Sequence, residues 1–312
     1  MSDALRLPIP WFGGKRRAAP LVWQLLGDVG HYAEPFCGTA AVLLGRPANH
    51  TGGLETLNDA DGLVVNGLRA IRDNPRAVTW HAARPLTEVD VTAQLAVLNE
   101  KSRDEDWVAW LKGNPYHYDP ALAGWWLYTT AASIGYPLGQ GGPWHRVDGH
   151  LRNCPGRGDG IPASLPKLAN VGDGVFRASL RPAEALHDLM EAIAQRLRHV
   201  RVACGDWRRV VTPAILRPGV RLGGEPAHGI FLDPPYQTGG DVYQHGNNSI
   251  ATEVREWCLT ADPAWRIVLC GFEDEHDQLL AHGWTKHEGR AGGGRGYNKN
   301  PAAGRRERLW AS

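Results

Sequence analysis

The chain has 312 residues, with 34 Lys and Arg against 33 Asp and Glu, so its formal net charge is +1. This balance excludes a uniformly basic protein of the histone kind and an acidic disordered chain, although it permits a locally basic groove. The length is sufficient for about two domains with cores of their own.

The cysteines and the apolar residues indicate the compartment. Five cysteines lie far apart without any C-x-x-C pair, which argues against a zinc ribbon or a disulfide framework. No secretory leader and no apolar run long enough to span a membrane is visible, so we expect a cytoplasmic protein. Trp supplies 13 of the 26 aromatic residues, which predicts stacking surfaces or large core side chains.

Apolar segments that end near Gly or Asp alternate with segments of helical periodicity toward both ends of the chain. The predicted strands are 31–36, 54–58, 200–204, 229–232, 267–270 and 308–311. The predicted helices are 19–26, 39–46, 62–72, 182–198, 250–259 and 275–282. This alternation predicts an α/β fold with a mainly parallel sheet that is covered on both faces.

The middle of the chain has a different pattern. Segments 87–111 and 121–134 predict helices, the first with Thr87 as its N-cap. Segment 135–173 has nine glycines and five prolines without a period, which is typical of a functional loop system. We therefore predict a sheet-bearing domain formed by 1–73 and 180–312, with a partly helical subdomain inserted at 74–179.

Residues 31–44 read HYAEPFCGTAAVLL, an apolar strand followed by a turn of small residues and the start of a helix. Such a turn lets a ligand approach the backbone, where the helix N-terminus supplies N–H donors. The next predicted strand is followed by Asp59, an acid placed to bind a ribose hydroxyl in a Rossmann-like sheet. An ordinary strand–turn–helix unit gives the same pattern, and the missing G-x-G-x-x-G disfavours a nicotinamide oxidoreductase.

Residues 229–236 read GIFLDPPY, a buried strand that ends at an acid and two prolines. Asp233 and the carbonyl of Pro234 are two acceptors beside the ring of Tyr236. Together they suit a planar substrate with an exocyclic amino group, whereas a plain Asp-Pro-Pro turn is the alternative. Near the N-terminus, PWFGGK places Trp11 and Lys15 around a Gly-Gly turn that could cap a cofactor site.

Four segments occur in a fixed order, namely WFGGK, EPFCGTAAV, NDADGLVVN and DPPY. In this order and spacing they resemble the Dam-type DNA adenine methyltransferases, the N6-adenine class in which a glycine motif precedes DPPY. The resemblance covers roughly 1–73 and 200–240, and 135–173 loosely resembles the phage-type members. The chain departs from the family at Thr39-Ala40-Ala41, where further glycines are common.

The resemblance implies a Rossmann-like methyltransferase sheet that uses S-adenosylmethionine to methylate N6 of an adenine flipped out of double-stranded DNA. The implied cofactor residues are Trp11, Lys15, Phe36, Gly38, Asp59, Asp206 and Asp233. The implied catalytic residues are Asp233, Pro234, Pro235 and Tyr236. Two hydrogen bonds from N6, to Asp233 and to the Pro234 carbonyl, would free its lone pair for direct attack on the methyl group.

The inserted segment is the expected target-recognition subdomain. Arginine supplies 28 of the 34 cationic residues, a bias that suits base-edge contacts and that GC-rich coding also produces. The candidate DNA contacts are Trp144, Arg146, Arg152 and Arg157, although a solvated basic loop has the same composition. His145, His150 and Cys154 have loosely zinc-like spacing, but without a fourth ligand we expect no metal.

Two other functions remain open on this fold. Methylation of another exocyclic amine, such as cytosine N4, is disfavoured by DPPY in place of S-P-P-Y. A catalytically silent DNA-binding module is disfavoured because Asp233 and Tyr236 are intact. The sequence indicates no obligatory protein partner. It is compatible with a restriction–modification system, with an orphan methylase and with an anti-restriction methylase.

Overall fold

The computed structural model describes residues 5–9, 11, 14–51, 53–84, 88–132, 144–147, 150–153, 182–216, 227–235, 249–289 and 307–312. The chain divides into two compact units. The first unit is formed by the described parts of 1–6, 12–60 and 199–312, and the second by those of 7–11 and 61–198.

The described residues contain nine strands, numbered in chain order. They are β1 (His31–Glu34), β2 (Leu54–Asp59), β3 (Trp144–Val147), β4 (His150–Asn153), β5 (Arg201–Cys204), β6 (His228–Leu232), β7 (Arg266–Phe272), β8 (Thr285–Glu288) and β9 (Glu307–Ala311). Strands β3 and β4 form a hairpin in the second unit, and the other seven form one sheet in the first unit.

Ten α-helices lie in the described part of the chain. They are α1 (Ala19–Leu26), α2 (Ala41–Leu44), α3 (Gly62–Asp73), α4 (Pro75–Ala82), α5 (Glu88–Ser102), α6 (Glu105–Gly113), α7 (Pro120–Ala132), α8 (Pro182–Leu197), α9 (Pro213–Leu216) and α10 (Ser249–Thr260). Short 3-10 helices occupy Lys15–Arg17, Trp207–Val210 and Asp277–His282. Among these described helices, none has the length and apolarity required to cross a membrane.

The sheet has the strand order β5-β2-β1-β6-β7-β9-β8. The first five strands in this order are parallel, whereas β9 runs antiparallel between β7 and β8. The α/β class and the mainly parallel sheet are therefore confirmed, and the fold is compatible with a Rossmann-like sheet. The order reverses between β1 and β6, and at such a switch point the loops at the carboxyl ends open a crevice for ligands.

The central strands are buried because helices and loops cover both of their faces. All four residues of β1 and all five of β6 are buried, as expected for inner parallel strands. The apolar core against α10 is formed by alternate residues of β6 and β7 together with three indoles, namely Ile230, Leu232, Ile267, Leu269, Trp207, Trp284 and Trp310. Part of the tryptophan excess therefore consists of large core side chains.

Helix α7 is the packing centre of the second unit and contacts α3, α4 and α5. Glycine permits two of these approaches: a Cβ at Gly67 would lie 2.6 Å from Trp126, and one at Gly124 would lie 2.3 Å from the Cβ of His81. Helices α3 and α8 belong to the second unit, whereas segments 62–72 and 182–198 were expected in the sheet-bearing domain.

Several elements differ from the sequence prediction. The helix expected at 87–111 is divided into α5 and α6, because the Asp104 carboxylate accepts the N–H of Trp107 at 2.8 Å and caps a new helix. Its expected N-cap, Thr87, lies outside the described residues. Strand β8 was not predicted, since the sequence TKHE lacks apolar alternation at this exposed sheet edge. The β3–β4 hairpin lies within the segment expected to be a loop system.

Candidate functional site

The candidate site lies in the first unit, where β1, β2 and β6 end. Strands β1 and β6 are neighbours on the two sides of the switch point. The chain leaves β1 through residues 35–40 and leaves β6 through Asp233, Pro234 and Pro235. Both segments therefore emerge at the same edge of the parallel sheet, where open α/β proteins bind ligands.

The turn after β1 is tied to the end of β2. The N–H of Gly38 donates to Oδ2 of Asp59 at 2.8 Å, and the N–H of Cys37 donates to the carbonyl of Asn58 at 2.9 Å. Gly38 has φ 46° and Ala40 has φ 54°, so two residues of this turn lie in the left-handed region. Helix α2 begins only after Ala40, later than the helix expected from residue 39.

Asn58 joins three parallel strands beneath this turn. Its buried side-chain amide donates to the carbonyls of Pro35 and Gly205, at 2.9 Å each. Its carboxamide oxygen is buried without a hydrogen-bond partner among the described residues. The segments that follow β1, β2 and β5 are thus held in a fixed relation around Asp59.

A buried lysine connects Asp233 to a residue that the sequence analysis did not consider. Lys15 is 5% exposed, and its Nζ lies 2.8 Å from Oδ2 of Asp233 and 2.9 Å from Oε1 of Glu307. Glu307 is the first residue of β9 and is 3% exposed. One ammonium therefore lies between two carboxylates, and the Lys15–Asp233–Glu307 cluster carries a net charge of −1 when all three groups are ionised.

Glu34 is a second acid that the sequence analysis did not assign to the site. It is 2% exposed at the end of β1, and its Oε2 accepts the hydroxyl of Tyr32 at 3.0 Å and the N–H of Leu43 at 3.2 Å. Its pKa is raised from 4.5 to about 8, chiefly by burial and to a smaller extent by the nearby carboxylates of Asp233 and Asp59, although its two hydrogen bonds lower it. Glu34 is therefore mainly protonated at neutral pH and adds little negative charge beside Asp233 and Asp59.

Asp206 has a local structural partner. It caps the 3-10 helix Trp207–Val210 by accepting the N–H of Arg208 at 2.8 Å, and its other oxygen pairs with the Arg208 guanidinium at 3.1 Å. The side chain is 53% exposed. The neighbouring Trp207 is buried in the core, and its ring lies 6.0 Å from that of the partly buried Phe36, which packs against this core.

Trp11 belongs to the second unit, where its ring lies edge-on to Trp126 at 5.8 Å. Tyr236 and Arg157 lie outside the described residues.

Three of the expected DNA contacts lie on the hairpin of the second unit. Trp144 and Arg146 are on β3 and Arg152 is on β4, with Arg146 paired to Leu151 and His145 to Arg152. Cys154 lies outside the described residues, and among those that are described there is no group of three potential metal ligands.

The sequence predicts some residues of this site and not others. The predicted ones lie in or beside turns that the sequence marks, namely Lys15, Gly38, Asp59 and Asp233. The two that were missed, Glu34 and Glu307, are acids at the ends of apolar strands. An acid inside the buried segment HYAE is itself a signal, since an acid is rarely buried without a specific partner.

Comparison with known proteins adds no assignment. No protein-family model matches the chain, and a search of curated proteins finds no similar sequence.

Proposed function

We propose that this protein is a DNA methyltransferase that uses S-adenosylmethionine to methylate N6 of a flipped-out adenine. The observation that carries the proposal is the buried Lys15–Asp233 ion pair at the carboxyl end of β6, beside the switch point. It fixes a carboxylate next to the Pro234 carbonyl, and these are the two acceptors that the N6 amino group requires.

The residues around the turn fit the proposed cofactor. Asp59 presents a carboxylate at the end of β2, the position that binds ribose hydroxyls in Rossmann-like sheets, and its bond to Gly38 holds it against the turn. The ring of Phe36, which is only partly buried and is backed by Trp207, offers an apolar surface for an adenine ring.

When bound, S-adenosylmethionine supplies a methyl group on a positively charged sulfur. Asp233 and the Pro234 carbonyl would accept hydrogen bonds from the two N–H groups of N6 and so orient its lone pair toward that carbon. The N–C bond would form as the C–S bond breaks, and the electron pair of the C–S bond would remain on sulfur. The product nitrogen then loses a proton, and the Asp233 carboxylate is positioned to receive it and pass it to solvent.

Lys15 contributes orientation. Its ammonium binds Oδ2 of Asp233 and thereby fixes the plane of the carboxylate relative to Pro234. Positioning of this kind and stabilisation of charge developing on N6 account for catalysis without a covalent intermediate.

The proposal is tested by the product. Purified protein is incubated with unmethylated double-stranded DNA and isotopically labelled S-adenosylmethionine, and the DNA is hydrolysed to nucleosides for mass spectrometry. We expect label in N6-methyladenine. Label in N4-methylcytosine would replace the proposal by the cytosine alternative, and cofactor and DNA binding without any transfer would indicate a silent module.

Asp233→Asn separates catalysis from binding. It keeps the size of the side chain and removes the charge, so we expect the transfer rate to fall on the order of 100-fold or more. The dissociation constant for S-adenosylmethionine, measured by calorimetry, should change by only a few-fold. If Asp233→Asn weakens cofactor binding strongly and leaves the rate at saturating cofactor unchanged, Asp233 is a cofactor ligand and no acceptor for N6.

A further inference from the structure

Glu307 is a buried acid that the proposed reaction has not yet used. It begins β9, where it is paired in register with Phe272 of β7, and it is 3% exposed. Its Oε1 lies 2.9 Å from Nζ of Lys15 and 3.7 Å from the thiol of Cys270. Burying a carboxylate at this depth is unfavourable unless an opposite charge compensates it, and Lys15 provides that charge.

Lys15 is shared between two acids that come from different strands. Asp233 follows β6, Glu307 begins β9, and the two carboxylates bind the same ammonium at nearly equal distances, 2.8 and 2.9 Å. Two fixed contacts restrain Nζ more tightly than one, because the long lysine side chain otherwise has many rotamers. The position at which Lys15 meets Asp233 therefore depends on Glu307.

The second carboxylate also changes the charge of the cluster. A Lys15–Asp233 pair alone is neutral, whereas the cluster with Glu307 has a net charge of −1. In N6 methylation the attacking nitrogen gains positive charge in the transition state. A negative cluster stabilises that charge in a buried setting, whereas a neutral pair with its ammonium nearby does so less well.

We infer that Glu307 is a positioning residue of the methyl-transfer site, an inference that rests on the proposed function. It acts through Lys15: it fixes the ammonium that orients Asp233, and it gives the cluster the negative charge that favours the transition state. This role differs from a structural one, in which Glu307 only completes the start of β9.

The test compares Glu307→Gln, Lys15→Met and the double variant in single-turnover methyl transfer at saturating cofactor. Glu307→Gln keeps the shape and leaves a neutral Lys15–Asp233 pair, so we expect the rate to fall about 10- to 100-fold. Cofactor affinity should stay within about threefold, because Asp59 and the turn lie outside the cluster. Glu307→Asp, which keeps the charge, should recover part of the rate.

The double variant distinguishes the two roles. It restores a net charge of −1, now on Asp233 alone, so its rate should exceed the product of the two single effects by about tenfold or more. The matched control is Lys101→Met, which removes a partly exposed lysine of α5 that is paired with Asp104. This variant should leave the rate unchanged. Thermal unfolding of every variant checks that the fold is retained.

Three results would overturn the inference. They are an unchanged rate in Glu307→Gln, strictly multiplicative losses in the double variant, and a loss of rate explained entirely by weaker cofactor binding. Failure of the proposed function is recognised separately, because the wild-type protein would then form no methylated base before any variant is compared.

Discussion

Glu34 is an almost completely buried carboxylic acid that is held by hydrogen bonds. It is nearly inaccessible to water, and it accepts hydrogen bonds from a tyrosine hydroxyl and a backbone N–H. Burial nevertheless dominates and raises its pKa from 4.5 to about 8. Between these two pH values the folded protein holds a proton that the unfolded chain releases, so the contribution of Glu34 to stability is lost as the pH rises.

Glu34→Gln should therefore change the pH dependence of folding. Gln accepts the same two hydrogen bonds and does not titrate, so the free energy of unfolding of the variant should rise relative to wild type from about pH 5 to pH 8. The slope of this difference should approach about 1.4 kcal/mol per pH unit. Urea denaturation at several pH values measures it, and a constant difference across this window would contradict a raised pKa for Glu34.

Asp59 should determine cofactor affinity more than rate. Asp59→Asn keeps an oxygen that can accept the Gly38 N–H and removes the charge. Losing a charged hydrogen bond to a ribose hydroxyl costs about 1.5–3 kcal/mol, so we expect S-adenosylmethionine binding to weaken about 10- to 100-fold. Asp73→Asn, at the end of α3, is a control with the same chemical change and should bind normally. Calorimetry gives both constants, and equal affinities would remove Asp59 from the cofactor site.

The sequence predicts the location of a site residue only where a strand ends in a turn. Asp59 ends one apolar strand and Asp233 follows another, so the sequence alone places both at the carboxyl edge of the sheet. The pairing of Lys15 with both Asp233 and Glu307 could not be predicted, since it joins residues 15, 233 and 307 through the sheet order. Only the antiparallel insertion of β9 beside β7 brings Glu307 to this edge.

At the level of elements, the position of a strand was easier to predict than the exact start of a helix. Every predicted strand overlaps an observed one, because buried β-branched and apolar runs mark inner strands. The helix after β1 begins two residues late, since Ala40 adopts φ 54° and cannot be part of a right-handed helix. The sequence Thr-Ala-Ala does not reveal this turn, which depends on the bond between Gly38 and Asp59.

The α3–α7 contact offers a test of packing between elements. A Cβ at Gly67 would lie 2.6 Å from the indole of Trp126, a side chain that is itself fully buried. Gly67→Ala should therefore destabilise the protein by about 1–3 kcal/mol in spite of the better helix propensity of Ala. Gly113→Ala, on α6, meets no atom within 4 Å and should stabilise by up to about 1 kcal/mol. Urea denaturation of both variants measures the change in the free energy of unfolding, and equal changes in the two variants would contradict this packing.

For the whole molecule, a net charge of +1 means that DNA affinity cannot come from a general positive field. Under the proposed function it must come from local groups, and the β3–β4 region with Arg146, Arg152 and Arg157 is the expected place. Each phosphate contact lowers the logarithm of affinity by about 0.9 per logarithm of salt concentration, so the number of contacts can be measured. The location of these charges, and not their total, should decide binding.

Replacing Arg146, Arg152 and Arg157 together by Ala should weaken DNA binding or broaden the methylated sequence, because arginines contact both phosphates and guanine edges. Cofactor affinity should be unchanged. The matched control replaces Arg76, Arg103 and Arg198, three exposed arginines of the same unit, and lowers the net charge equally. Binding titrations over a range of salt concentrations, with sequencing of methylated sites, compare the two. Equal losses in both variants would indicate a non-specific charge effect and locate recognition elsewhere.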